Sequence, residues 1–230
     1  MAENPIPKTI GAILDGNRRW AAANGVPKLE GHRAGYHRLK EFARWAYAAG
    51  VETVLVYAFS TENWQREESE VSYLMQLLRW VLESEINEFH RDGIRVRFIG
   101  DHSRFSKELQ QLMTKAEAKT QNNTKGTMCV LVSYGGRAEI VAAAKKIIQE
   151  GVAVDALDED AFAAHLWTAG IRDPDLIIRT GGVSRLSNFL PWQGAYSELF
   201  FSETLWPDFT KEEFLAILAE YAKRERRFGK

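Results

Sequence analysis

Stretches of strand length and stretches of helical period alternate from one end of this chain to the other, a pattern that few folds accept. Ile10–Leu14, Val51–Phe59, Ile94–Ile99, Thr127–Tyr134 and Leu176–Ile178 read as strands, with Glu198–Phe201 as one more. Between them, Arg33–Ala49 reads as a helix that stops at Gly50. Glu67–Arg91 carries Val71, Leu74, Met75, Leu78, Leu82, Ile86 and Phe89 at helical spacing, and Gly93 ends it. Ser103–Lys119 and Arg137–Gln149 follow, the latter with Ile140, Val141, Ala144 and Ile148 on one side. A short helix near Asp160–Trp167 lies inside the loosest stretch, Gly151–Pro174, and Thr210 and Glu213 form a capping box for a last helix reaching about Arg226. The alternation predicts an α/β fold, a mostly parallel central sheet flanked by helices on both faces. No repeat, low-complexity run or linker divides the chain, so residues 1–230 read as one domain.

Composition narrows the function classes. The 30 basic and 31 acidic residues nearly cancel, which argues against a general nucleic-acid surface. A single cysteine, Cys129, sits in an apolar run; it excludes a disulfide framework and reads as a small core residue in a cytoplasmic protein. No apolar stretch approaches the roughly 18 residues needed to span a bilayer. Met1–Thr9 has no apolar signal core. A soluble protein, or one bound at a membrane surface, is expected.

Chemistry-bearing residues collect just beyond the expected strand ends, where α/β proteins hold ligands. After the first strand come Asp15, Gly16, Asn17, Arg18, Arg19 and Trp20. A carboxylate for a cation, guanidinium groups and helix-start N–H groups for phosphate suit a Mg²⁺-diphosphate ligand. An Asx-type turn with a solvated arginine pair explains the same residues equally well when they stand alone. After the second strand come Ser60, Glu62, Asn63, Trp64 and Arg66, which also fit an ordinary capped turn. His32 and Arg33 stand where a helix start could meet a phosphate, and Gly135-Gly136 permit close backbone approach. The densest cluster is Arg179-Thr180-Gly181-Gly182 with Arg185, Ser187 and Asn188, two arginines and a hydroxyl about a glycine turn. It matches neither a P-loop nor a dinucleotide fingerprint. Glu198, a carboxylate in an apolar stretch beside Tyr196, suits a cation.

Taken in order, these motifs resemble the cis-prenyltransferase family, whose best-known members are the undecaprenyl diphosphate synthases. The resemblance rests on Asp15-Gly16-Asn17-x-Arg19-Trp20, Gly31-His32, Tyr57-x-x-Ser60-x-Glu62-Asn63-Trp64-x-Arg66, Ile99-Gly100-Asp101 and Tyr134-Gly135-Gly136-Arg137. It continues through Asp175–Gly182, Arg185-x-Ser187-Asn188-Phe189-Leu190-x-Trp192-Gln193, Glu198-Leu199, Leu205–Phe209 and Arg224-x-Arg226–Gly229. It implies an α/β fold around an apolar tunnel and a homodimer. The implied enzyme is Mg²⁺-dependent and joins isopentenyl diphosphate to an allylic diphosphate such as farnesyl or geranyl diphosphate, giving a cis-polyprenyl diphosphate. By resemblance, Asp15 holds the metal and Glu198 helps to hold it, near a neighbouring subunit's Arg227-Phe228-Gly229 tail. Gly16, Asn17, Arg18 and Arg19 line the allylic phosphate site, Arg179, Arg185 and Ser187 bind isopentenyl diphosphate, and Trp20, Lys28, Trp64 and Arg66 are further substrate-binding residues, Arg66 helping to orient substrate. His32, Ser60 and Asn63 act with Asp15 in catalysis, and Arg227 and Gly229 reach a neighbouring subunit's site. A greasy product implies peripheral membrane contact.

Departures qualify this. Arg18 stands where bacterial members most often have glycine, and Lys28 replaces a usual arginine, losing a bidentate contact. Leu131 and Val132 are bulkier than the small residues common in the tunnel-lining strand, which favours a short-chain or irregular prenyl diphosphate synthase; the small Ala58 argues for a longer product. A third reading is a non-catalytic partner subunit. Such a chain is expected to lose Asp15 or the Asn17/Arg19 turn, and this one keeps both.

Overall fold

The sheet is built from the apolar runs and is parallel throughout. The computed structural model describes residues 6–224. The strands are β1 (Thr9–Ile13), β2 (Thr53–Ser60), β3 (Ile94–Ile99), β4 (Gly126–Tyr134), β5 (Leu176–Arg179) and β6 (Glu198–Phe201). They stand in the order β3-β4-β2-β1-β5-β6, every neighbouring pair parallel. Parallel strands buried on both faces read as continuous apolar runs, and β1 and β5 are buried at every residue.

The helices are α1 (Asn17–Ala23), α2 (Lys28–Ala48), α3 (Glu68–Trp80), α4 (Ile86–Arg91), α5 (Lys107–Thr120), α6 (Gly136–Glu150), α7 (Glu159–Ala163) and α8 (Lys211–Tyr221). On one face, Ile10, Ala12, Val54, Val56, Leu176 and Ile178 pack on Leu39, Phe42, Ala43 and Ala46 of α2 and on Trp206, Phe209 and Phe214. On the other, Ile13, Leu55, Cys129, Leu131 and Ile177 meet Phe189 and Leu190. Cys129 is a core residue, and burial pushes its thiol pKa up to about 12.

Three elements differ from the sequence expectation. The helix expected from Arg33 begins at Lys28, directly after Pro27, and runs through Gly31 and Gly35. These are not helix-start residues but a contact surface. A Cβ at Gly31 would run into the Asn17 carbonyl and one at Gly35 into the Asn17 side chain, so the glycines let α1 press against α2. The single helix expected over 67–91 is broken into α3 and α4 by a π-helical turn, Val81–Glu85. At the end of this turn Glu85 accepts from Lys40 Nζ at 2.5 Å and from the Tyr36 hydroxyl at 3.1 Å. On α6 the buried stripe is Gly136, Glu139, Ala143 and Ile147, while Val141 and Ile148 are 53% and 78% exposed. Apolar spacing misplaced this face because its central residue is a carboxylate. No helix among the described residues is long and apolar enough to cross a membrane.

Candidate functional site

Crossovers leave β1 toward β2 on one side and return to β5 on the other, so a crevice opens at the carboxyl ends of these three strands. A cleft of about 550 Å³ occupies it, lined by Asp15, Asn17, His32, Tyr57, Ser60, Glu62, Asn63, Arg66, Arg179, Ser187 and Asn188 with a few apolar neighbours. Asp15 follows β1. Its carboxylate accepts from Arg179 Nη2 at 2.9 Å and pairs with Arg19 at 3.3 Å. Arg179 is the last residue of β5 and its side chain is 6% exposed. It also donates to the Ser187 hydroxyl at 2.7 Å, which accepts from Arg185 Nε at 3.3 Å. Gly16 caps α1 at φ +119°, and no side chain satisfies that helix start. The free N–H groups beside three arginines make a place for phosphate. Arg179 Nε and Asn17 Oδ1 are buried without a hydrogen-bond partner among the described residues.

Across the cleft, Ser60 caps the short 3₁₀ turn Thr61–Gln65 in a capping box with Asn63. Asn63 Oδ1 accepts from the Ser60 backbone at 3.1 Å. That leaves the Asn63 amide NH₂ as the group it offers to a ligand.

A second space adjoins the cleft. It is an apolar cavity of about 160 Å³ that shares Leu14, Asn17, His32, Ala58 and Leu74 with the cleft. Its far wall is made by Phe89, Val96, Met128, Val130 and Val132. Val132 faces this cavity as expected, but Leu131 does not: successive strand residues point to opposite faces, and Leu131 lies in the core with Ile13 and Leu55.

Not every expected site residue reaches the cleft. Trp20 turns away, its indole N–H donating to Asp208 at 2.7 Å. Trp64 faces the sheet, donating to the Ser133 hydroxyl at 3.0 Å and packing on Phe59 and Phe105. Each of these half-buried indoles finds its acceptor outside the cleft. Lys28 pairs with Glu67 at 3.4 Å at the start of α2. Arg227 and Gly229 lie outside the described residues. Within the chain, Glu198 stands apart from Asp15. It begins β6, level with Leu176 at the amino end of β5, whereas Asp15 and Arg179 stand at the carboxyl end. Its carboxylate pairs with Arg224 at 2.6 Å. Within one chain the two carboxylates cannot share an ion, and no group of three His, Cys, Asp or Glu converges among the described residues.

Glu70, Tyr57, Glu62 and Asn188 received no role from the sequence. Glu70 opens α3 and is only 3% exposed. It accepts from Arg66 at 2.8 Å, meets His32 Nε2 at 3.2 Å and lies 3.8 Å from Arg18. Burial alone would raise its pKa, but Arg66, Arg18 and His32 hold it below the ordinary 4.5. Burial lowers His32, partly opposed by Glu70, so the imidazole is neutral near pH 7. Both groups favour their deprotonated forms more in the folded chain than in the unfolded one. Their stabilisation is therefore present above the unfolded pKa values and lost as pH falls through the lower folded ones. Glu70→Gln is expected to destabilise the protein by about 2 kcal/mol near pH 7, with the difference from the parent shrinking below about pH 4. Urea unfolding across that range measures it; a pH-independent difference refutes the assignment.

Comparison with known proteins identifies the family and the fold. Residues 13–229 match the family described as "Putative undecaprenyl diphosphate synthase". An isoprenyl transferase of Clostridium perfringens is 44% identical, with 100% of this chain and 92% of that protein covered. A (2E,6E)-farnesyl-diphosphate-specific ditrans,polycis-undecaprenyl-diphosphate synthase of Legionella pneumophila is 43% identical over 97% of this chain and 96% of its own. Among solved structures, lavandulyl diphosphate synthase from Lavandula x intermedia, in complex with dimethylallyl diphosphate, superposes with a TM-score of 0.93. It is 36% identical and covers 98% of this chain and 99% of its own. A probable undecaprenyl diphosphate synthase from Campylobacter jejuni gives 0.83 at 34% identity, covering 99% and 100%.

Proposed function

The chain belongs to the undecaprenyl diphosphate synthase family of prenyl transferases, and we propose that it joins isopentenyl diphosphate to an allylic diphosphate in a Mg²⁺-dependent reaction, giving a cis-polyprenyl diphosphate. One observation carries the substrate reading. A cleft lined by arginines and a carboxylate adjoins an apolar cavity with which it shares five lining residues, a pairing that suits a molecule with a diphosphate head and a hydrocarbon tail.

The donor set at Asp15 fits magnesium. It is one partly exposed carboxylate at a helix start beside phosphate-binding groups, and Mg²⁺ commonly takes one or two carboxylates plus substrate oxygens. A Mg²⁺ held by Asp15 would supply charge neutralisation for the departing diphosphate. The α1 N–H groups, Arg18 and Arg19 hold that diphosphate and stabilise the charge that grows as the allylic bond breaks. Arg179, Arg185 and Ser187 hold the diphosphate of the incoming unit. Ser60, Asn63 and Arg66 face them across the cleft and orient the two substrates. His32, neutral and deep in the cleft, and the leaving diphosphate are the two acceptors for the proton lost on condensation. A metal role for Glu198 requires a second copy of the chain, as does an assembly through the exposed Val141 and Ile148 of α6.

A short-chain product is the second reading, and cavity size favours it. An engineered apolar cavity of about 150 Å³ holds one benzene ring. The 160 Å³ here matches that, so a long chain needs the wall formed by α3, the π turn and α4 to move. The decisive experiment is the product profile from labelled isopentenyl diphosphate with Mg²⁺, offered dimethylallyl, geranyl and farnesyl diphosphates in turn. Products stopping after one or two additions support the short-chain enzyme, long products from farnesyl diphosphate support the lipid-carrier synthase, and no diphosphate release rejects both. Phe89→Ala removes the far wall and is expected to lengthen the product by at least one unit; an unchanged profile shows that Phe89 does not limit it.

A further inference from the structure

Asn188 uses its side-chain amide and its backbone carbonyl in three hydrogen bonds beside the cleft, yet no step of the proposed chemistry uses it. Its Nδ2 donates to Glu62 Oε1 at 3.0 Å, and its Oδ1 accepts from the Arg137 backbone N–H at 2.9 Å. Its own carbonyl accepts from the Gly136 N–H at 2.8 Å. The next residue toward the amino end, Ser187, carries the hydroxyl that receives Arg179 and Arg185. The Ser187 carbonyl accepts from the Tyr57 hydroxyl at 3.4 Å.

The backbone here is held against its preferences. Ser187, Asn188 and Leu190 have φ of 49°, 67° and 49°, in the left-handed region that only asparagine among them tolerates well. Such a run persists only where its surroundings over-determine it, and it clusters at sites that need a fixed geometry. The surroundings are explicit. A Cβ at Gly135 would lie 2.8 Å from Asn188 Nδ2, and one at Gly136 would run into the Pro191 ring, so the glycine pair lets the 187–191 loop seat on the start of α6. Asn188 thus ties three parts together: the Arg179–Ser187 clamp, the start of α6, and the Ser60–Arg66 segment through Glu62.

We propose that Asn188 is a positioning residue that, through Glu62, holds the Ser187 clamp and the Ser60–Arg66 segment in one fixed relation, so that the two phosphate-binding sides of the cleft act as a unit. The proposal rests on the diphosphate reading of the cleft. Asn188 suits the task because one amide carries both a donor and an acceptor. The donor faces the Glu62 carboxylate, and the acceptor faces a backbone N–H. Glu62 stays charged to receive it: burial would raise its pKa, but its own backbone N–H, Asn188, Ser60 and Thr61 hold it below the ordinary range.

A donor–acceptor swap tests this. Asn188→Asp keeps the acceptor for Arg137 but sets a carboxylate against that of Glu62. It is expected to lower kcat/KM for isopentenyl diphosphate about 100-fold, mainly through KM, since a hydrogen bond to a charged group is replaced by repulsion. Glu62→Gln alone is expected to cost no more than about fivefold, because its side-chain carbonyl still accepts from Asn188. In the double variant the new amide at position 62 can donate to the new carboxylate at position 188, and at least about tenfold of the loss should return. A double variant no better than Asn188→Asp, or an Asn188→Asp within about threefold of the parent, overturns the proposal. Inorganic pyrophosphate binding by calorimetry on the same four proteins should follow the same order without turnover. If the parent transfers no prenyl group, the functional reading fails on its own, and the pyrophosphate series still decides the coupling.

Discussion

Asp15→Asn is expected to lower the rate of diphosphate release about a thousandfold while leaving the fold intact. Asparagine keeps the shape of the side chain and one acceptor for Arg179. It removes the negative charge that makes Asp15 the counter-ion of Arg179 and Arg19 and that the proposed metal role requires. A metal that stabilises the charge of a leaving group contributes several kcal/mol, and about 4 kcal/mol of barrier is a factor of about a thousand. Arg179 suffers as well, since its largely buried guanidinium loses its only carboxylate partner among the described residues. Diphosphate release measured against Mg²⁺ concentration checks this. A variant that retains more than about a tenth of the parent rate at saturating Mg²⁺ removes Asp15 from the metal role.

Glu139→Ala is expected to be the most destabilising of these changes, by about 4 kcal/mol, and to lower the melting temperature by about 10 °C. Glu139 is fully buried on α6 and forms no ion pair among the described residues. Its carboxylate accepts from the Tyr134 hydroxyl at 2.5 Å, from the Thr168 N–H at 3.0 Å and hydroxyl at 2.9 Å, and from Gln193 Nε2 at 3.0 Å. Removing it strands several buried donors at once, each at a cost of about 1–3 kcal/mol, and opens a void between α6 and the 166–168 turn. Glu139→Gln keeps the volume but brings an NH₂ against those donors, so it should recover only part of the loss. Thermal and urea unfolding of the two variants measure the effect; a loss under about 1 kcal/mol for the alanine shows that the network is not a stability determinant.

Much of the arrangement was visible in the residues themselves. Ile10–Leu14 and Val51–Phe59 are apolar because central parallel strands are buried on both faces, so their runs mark the sheet directly. Asp15, Ser60 and Arg179 could be placed at the cleft before any contact was known, because each stands just past such a run. Glu70 was illegible for the opposite reason. It opens a helix among other acidic residues, Glu67 and Glu68, which are exposed, and only packing against Arg66 and His32 distinguishes it from a solvated helix start. The α6 face was misread because Glu139 occupies its centre, and periodicity cannot anticipate a carboxylate whose partners come from Tyr134, Thr168 and Gln193.

The local pattern of this chain thus determined its elements, their parallel arrangement and the loops that carry its chemistry, since hydrophobic period and turn residues act over a few positions. The tertiary structure alone decided which of those loops meet. It set Glu198 at the opposite end of the strands from Asp15, turned Trp20 and Trp64 out of the cleft, put Val132 rather than Leu131 on the cavity wall, and joined Glu62 to Asn188 across 126 residues. Strand order, strand register and the side to which a side chain turns are properties of contacts between distant segments, and no local sequence pattern encodes them.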